Sequence, residues 1–213
     1  LQVGAVRRCG VLPGVAGLMK KRIIVGITGA SGVIYGIRAL ECLAAMDDVE
    51  THLILSESAR VTVAVETDYD VEAIKALADI CHSNDNLAAS ISSGSFRTDG
   101  MMILPCSIKT LSGVANSYAD SLMVRAADVA LKESRRLVLV VRETPLHPGH
   151  LRLQMLAAEA GAVILPPAPA FYHKPETVEE LINHTVGRVF DQFGLETDLF
   201  RRWGGESGFR PRA

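Results

Sequence analysis

The chain lacks the features that would commit it to a membrane, a zinc fold or a nucleic acid. Across its 213 residues no apolar run approaches the roughly 20 residues needed to cross a bilayer. Its four cysteines, Cys9, Cys42, Cys81 and Cys106, show no C-x-x-C spacing and no nearby histidine pairs. That argues against structural zinc and against a disulfide framework. Reduced thiols in a cytoplasmic protein, with no metal site, are the expectation. A net charge of -2 gives no basic footprint for nucleic acid and no acidic tail. Aromatic residues are scarce, with one Trp, four Tyr and six Phe. Most of them fall late in the chain: Phe171, Tyr172, Phe190, Phe193, Phe200, Trp203 and Phe209.

What the chain does have is enough apolar residues for one domain with a full core. A mean hydropathy of +0.23 points to further apolar surface covered between subunits. Residues 1–18 are expected to stand outside the fold, because Met19-Lys20-Lys21-Arg22 reads as a natural start and the leading segment makes a poor signal peptide. One domain is expected over 19–204, followed by a tail over 205–213.

Apolar runs alternate with helical patterns throughout. Strands are expected at 22–28, 51–55, 101–104, 137–141 and 162–165. Helices are expected at 36–46, 57–67, 71–78, 109–116, 120–134, 149–160 and 176–193. Continuous apolar strands separated by helices imply an α/β fold with a parallel sheet covered on both faces. The last helix has the clearest period, through Val178, Leu181, Ile182, Thr185, Val186, Val189, Phe190 and Phe193, with Pro175 before it and Gly194 after it. The stretch 83–100 is small and polar, and reads as a loop that orders around a ligand.

The first strand runs into Thr28-Gly29-Ala30-Ser31-Gly32-Val33-Ile34. A strand that ends in a glycine-rich turn and feeds a helix makes an anion pocket, because backbone N–H groups converge on a positive helix N-terminus. Ser31 adds a hydroxyl there. Gly26, Gly29 and Gly32 give G-x-x-G-x-x-G, which is not the dinucleotide fingerprint and has no Walker lysine. A mononucleotide phosphate fits better than NAD, whose ribose wants a carboxylate where the second strand ends in Ser56. A tight turn with no ligand is the plain alternative.

In an open parallel sheet, ligands gather beyond the C-terminal ends of the strands. Those ends present Gly29-Ala30-Ser31, Ser56, Pro105-Cys106-Ser107, Arg142-Glu143-Thr144-Pro145 and the segment from Pro166 to His173. Ser107 and Thr110 suit N-capping as well as phosphate binding. Cys106 suits packing better than nucleophilic attack, since no histidine lies near it in sequence. Arg142 can grip a phosphate and Glu143, in a dry pocket, can hold a proton near neutral pH; a rim ion pair is the simpler account. Arg125, Asp128 and Lys132 fall on one helix face, usually a solvated stripe. Arg188 borders the apolar face of the last helix, where a snorkelling stem is ordinary. Tyr172 follows a rigid proline-rich segment that fixes its direction.

Taken in order, these residues resemble the UbiX-like flavin prenyltransferases, formerly described as phenylacrylic or octaprenyl-hydroxybenzoate decarboxylases. The resemblance runs from about Lys20 to Trp203. It is carried by Thr-Gly-Ala-Ser-Gly at 28–32, Glu-Thr-Asp at 66–68, Pro-Cys-Ser at 105–107, Arg-Ala-Ala-Asp-Val-Ala-Leu-Lys-Glu at 125–133, Arg-Glu-Thr-Pro at 142–145, Phe-Tyr-His at 171–173 and Arg-Trp-Gly at 202–204. It looks closest to the enterobacterial branch. Two departures are Val141, where many members have Pro, and Ile108-Lys109, where others carry smaller residues.

The resemblance implies a three-layer Rossmann-like, flavodoxin-like fold, a homododecamer with sites at subunit junctions, and no metal. It implies that reduced FMN and dimethylallyl monophosphate bind together, that the prenyl group is joined to flavin N5 and C6, and that prenylated FMN passes to a UbiD-type decarboxylase. Carried over by position, FMN contacts Gly29, Ala30, Ser31, Ser56, Ser107, Ile108, Lys109, Thr110 and Arg142. The prenyl phosphate meets Tyr172 and Arg188, with Lys132 and Arg125 reaching across subunits. Glu143 is the implied proton donor, with Ser31 and Glu66 in the same network, and Trp203 closes the prenyl pocket. The chemistry agrees, since allylic C–O cleavage needs fixed cations, a proton and a dry π-lined cavity. The alternatives are an FMN-binding aromatic-acid decarboxylase subunit and an FMN carrier. A flavin-dependent cysteine decarboxylase is disfavoured, because no Pro-x-Met-Asn motif is present.

Overall fold

The computed structural model describes residues 20–204. The segments 1–18 and 205–213 that the sequence sets apart lie outside the described residues. Six strands form one sheet: β1 (Lys21–Ile27), β2 (Val49–Leu55), β3 (Ile80–Ser83), β4 (Gly100–Cys106), β5 (Arg136–Val141) and β6 (Val163–Ile164). Seven helices accompany them: α1 (Val33–Ala44), α2 (Glu57–Glu66), α3 (Val71–Lys75), α4 (Ile108–Ala115), α5 (Leu122–Lys132), α6 (Pro148–Glu159) and α7 (Val178–Asp191). The strand order is β3-β2-β1-β4-β5-β6 and every pairing is parallel.

The continuous apolar strands are explained by what each face meets. Alternate residues of a strand point to opposite faces, and here both faces are buried. Ile23, Val25 and Ile27 of β1 join one core with Met102, Leu104, Val138 and Val140. Helices α1, α2, α3 and α7 cover that face through Val33, Ile37 and Leu40, Val63, Ile74, and Val186, Val189 and Phe190. On the other face Ile24, Met101, Ile103, Leu137 and Leu139 meet α4, α5 and α6 through Leu111, Met123, Ala127 and Ala157. This is the three-layer α/β arrangement expected. Phe190 is the largest fully buried side chain, and burying a residue of that size contributes about 1.5–3 kcal/mol.

Three differences from the sequence expectation have local causes. Strand β3 was not expected, because Ile80-Cys81-His82-Ser83 is largely exposed and shows no apolar alternation. It forms as the sheet's edge against β2, pairing Leu53 with Cys81 and Ile54 with His82. Helix α1 begins at Val33 rather than 36, since Gly32 turns the chain in the left-handed region at φ 100°, which glycine adopts without strain. On α7, Val178 is 72% exposed because it is the first helical residue, beyond the edge of the core. Pro175 precedes that helix as expected, and Thr177 caps it, its hydroxyl accepting from the Glu180 N–H.

Candidate active site

The crossover from β1 goes to β2 on one side and that from β4 to β5 on the other, so a crevice opens where β1 and β4 end. Thr28 laces its floor. The Thr28 hydroxyl donates to the Pro105 carbonyl at 2.7 Å and accepts from the Ser107 N–H at 2.9 Å. Two helices then open into the crevice. Ser56 caps α2, accepting from the Ala59 N–H at 3.1 Å. Ser107 caps α4, accepting from the Thr110 N–H at 3.3 Å. Ser107 thus performs the capping that the sequence allowed, and Ser56 caps a helix for which no cap was expected. Because a cap takes only one of the orphan donors of a helix start, the α4 terminus still presents the Ile108 and Lys109 N–H groups.

Beyond these caps lies a cleft of about 570 Å³, lined by Thr28, Ser56, Ser58, Asn84, Ser107, Lys109, Thr110 and Ser112 among others. Four residues expected to hold the flavin, Ser56, Ser107, Lys109 and Thr110, therefore share one cavity. Ile108 instead turns toward the second core cluster. Gly29 stands beside the cleft's Ser58: a Cβ at residue 29 would lie 2.5 Å from Ser58 Cβ and 2.9 Å from its backbone carbon. The turn therefore needs glycine so that α2 can start this close to β1. Thr62 ties the same contact, donating to the Gly29 carbonyl at 3.1 Å.

The glycine turn corrects one expectation. The N-terminus of α1 is not an open anion pocket, because a carboxylate of this chain already occupies it. Glu66, at the end of α2, accepts from the N–H groups of Gly32 at 2.8 Å and Val33 at 3.3 Å. Burial opposes its charge, but hydrogen bonds from Ser31, Gly32 and Val33 and the nearby Arg142 guanidinium outweigh it and hold the carboxyl below its usual range. Negative charge at a helix N-terminus is stabilising, and a second anion there would meet repulsion. The expected Ser31–Glu66 pairing is present, as a clasp between α1 and α2.

Arg142 and Glu143 follow β5 on the crevice rim and both are exposed in the single chain. The dry pocket expected around Glu143 is therefore not made by this chain's own fold. Glu143 Oε1 accepts from the Thr144 N–H at 2.9 Å, which orients it along the rim. The Arg142 charge acts on Glu66 and on Tyr35. Burial raises the Tyr35 phenol, opposed by a hydrogen bond with Thr185 of α7 and by Arg142. Tyr35 thus links the rim to α7.

Tyr172, Arg188 and Trp203 are not among the residues that line the cleft. They form a second cluster on the flank of α7. The Tyr172 hydroxyl lies 3.3 Å from His184 Nε2, and Trp203 meets the Tyr172 ring edge-on at 5.7 Å. Arg188 is exposed and pairs with Asp191 at 3.1 Å, an acid it shares with Arg202. Arg125 and Lys132 stand apart from both clusters. Arg125 is held by Asp128 at 2.9 Å and by the Ser92 carbonyl. Lys132 pairs with Glu133 at the far end of α5, near the start of the sheet. One chain does not bring these two cations to its own crevice.

Cys106 is fully buried, and burial pushes its thiol up to about 12, which suits packing and not catalysis. Among the described residues no group of His, Cys, Asp and Glu could hold a metal, and no helix is long and apolar enough to cross a membrane. Sequence reasoning missed Thr28, Ser58, Tyr35 and Asn84 as site residues. Asn84 accepts from the N–H groups of Leu122 and Met123 and so anchors the start of α5 at the cleft wall. Only the Thr-Gly-Ala-Ser-Gly motif signalled Thr28; nothing local marks Asn84 as a cap for a helix nearly forty residues on.

A family model described as Flavoprotein matches residues 16–189. The flavin prenyltransferase UbiX of Escherichia coli K12 is 62% identical over 187 residues, covering 87% of this chain and 99% of that protein. A crystal structure of AnUbiX (PadA1) with FMN and dimethylallyl pyrophosphate superposes with a TM-score of 0.86 at 50% identity, covering 87% of this chain and 98% of that one. A dodecameric FMN-dependent UbiX-like decarboxylase from Escherichia coli O157:H7 superposes with a TM-score of 0.85 at 52% identity, covering 86% and 100%. With that identity along almost the whole of the relatives' length, and with Thr28 and Ser107 of the motifs that carried the resemblance lining the crevice, the chain belongs to the UbiX family of flavin prenyltransferases.

Proposed function

We propose that this protein transfers a dimethylallyl group from dimethylallyl monophosphate to N5 and C6 of reduced FMN, and that prenylated FMN then serves a UbiD-type decarboxylase. The observation that carries the reading is the cleft where β1 and β4 end. Its donor set suits a flavin mononucleotide: hydroxyls of Ser56, Ser58, Ser107 and Thr110, the Lys109 ammonium and the open α4 N-terminus. The missing Cβ at Gly29 keeps the turn between this donor set and the rim narrow. When bound and reduced, FMN supplies the electron-rich ring atoms that accept the prenyl group.

The chain's own residues do the rest. Lys109 and the α4 N–H groups hold phosphate, and Arg142, whose backbone N–H donates to the Cys106 carbonyl, stands beside the start of α4. Tyr172 and Arg188 take the prenyl phosphate, whose departure needs fixed positive charge and a proton. Glu143, oriented by its bond to Thr144, gives or receives that proton. The exposure of Glu143, Arg188 and Trp203 in a single chain fits a site completed between subunits. A homododecamer like the Escherichia coli O157:H7 relative would dry the rim and bring Arg125 and Lys132 from a neighbouring chain.

The test is anaerobic incubation of the purified protein with reduced FMN and dimethylallyl monophosphate, followed by mass spectrometry of the flavin. A gain of one five-carbon unit is expected. An unchanged flavin would favour an FMN carrier or a direct decarboxylase. Glu143→Gln should bind FMN normally and form product slowly; loss of FMN binding would make Glu143 structural.

A further inference from the structure

His184 lies in the middle of α7, 8% exposed, and the chemistry above gives it no role. Its ring is held by three others. Tyr172 meets it edge-on at 5.8 Å, Phe200 edge-on at 4.8 Å, and His173 lies flat against it at 5.3 Å. Such a clamp leaves the imidazole no freedom to turn without displacing a neighbour. Arg188 lies one turn further along the same helix, so His184 and Arg188 share a face. Burial, and the proximity of His173 and Arg188, disfavour a charge on this ring.

A neutral imidazole carries one N–H, and its partners decide which nitrogen bears it. If Nε2 accepted from Tyr172, the phenol proton would be spent inside the cluster and only lone pairs would face an incoming phosphate. If Nε2–H donates to the phenol oxygen, the phenol proton is released to donate outward, and the chain of bonds strengthens it. Only the second arrangement leaves the phenol a proton to donate to an incoming phosphate.

We infer that His184 is a positioning residue: it donates from Nε2 to the Tyr172 phenol and thereby turns the phenol proton toward the prenyl phosphate. This rests on the proposed role of Tyr172 and adds to it the group that sets its direction.

The test compares His184→Leu, His184→Gln and His184→Asn in the full-length protein, measuring KM for dimethylallyl monophosphate, kcat, and FMN affinity. Gln reaches the position of Nε2 with a donor; Asn is polar but too short. Leu and Asn should each raise KM about tenfold, as expected for losing one oriented hydrogen bond to a charged ligand, with kcat changed less and FMN affinity unchanged. Gln should restore KM to within about threefold. In a Tyr172→Phe background, His184→Leu should add nothing further. The inference is overturned if Gln and Asn behave alike, if the Leu effect persists without the phenol, or if FMN affinity falls in step with KM. Tyr172→Phe with an unchanged KM is a different failure, because it removes Tyr172 from substrate binding and the proposed function loses that contact. Should the Leu variant not fold, the Gln and Asn pair decides the matter.

Discussion

Replacing Glu66 with Gln isolates the clasp between α1 and α2. The carboxylate accepts two backbone N–H groups, from Gly32 and Val33, at a helix start that has no side-chain cap of its own. Gln keeps the shape and one acceptor oxygen but removes the charge. Charge at a helix N-terminus contributes about 0.3–1 kcal/mol, and a charge-assisted hydrogen bond is about twice as strong as a neutral one. Glu66 lies on the exposed rim, so solvent screening reduces both contributions and the expected loss is about 1 kcal/mol. For a chain of this size that lowers Tm by about 2–4 °C. The carboxyl is held below the usual carboxylate range, so its contribution is complete above that range and is lost as pH falls through the native value. The assay is thermal melting of both proteins at one concentration, from neutral pH downward. A gap that is steady near neutrality and closes as pH falls through the lowered native value is expected. Equal melting at neutral pH, or a gap that persists unchanged into acid, would refute the electrostatic account.

Thr28→Val keeps the side chain's shape in a position only 1% exposed, but strips Ser107 N–H of its acceptor and Pro105 O of a donor. A loss of about 2–3 kcal/mol is expected, read as a lower urea midpoint with unchanged slope, together with weaker FMN binding; a loss under about 0.5 kcal/mol would mean that the lacing carries no energy. Cys106, with its thiol raised to about 12, should escape iodoacetamide at pH 8 until the protein unfolds, whereas the exposed Cys81 is alkylated in the native state. Mass spectrometry of the labelled peptides reads this directly, and native labelling of Cys106 would contradict its burial.

Much of the crevice was legible because its parts are local. Ser56 and Ser107 each follow an apolar run and precede a helical one, and a hydroxyl at that junction caps the helix whatever else it does. The glycine turn was legible as a turn, but its occupant was not. Glu66 lies thirty-four residues from Gly32, and nothing near either residue in sequence tells that α2 ends where α1 begins. The same holds for the pairing of Tyr172 with His184. Periodicity puts His184 beside the apolar stripe of α7, yet only the return of the loop after β6 sets a phenol against it.

By itself the sequence determined the class of the fold, because buried parallel strands must be apolar on both faces and the intervening helices amphipathic. It also determined the chemical inventory at the strand ends, since side-chain type is written residue by residue. Tertiary structure alone decided which of those groups share a space: Glu66 on the α1 terminus, Tyr172 against α7, and Lys132 at the far end of α5 from its own crevice. Covalent neighbours are fixed by the chain, whereas contacts between distant segments follow from how complementary surfaces pack, and a charged group settles wherever that packing leaves it a partner.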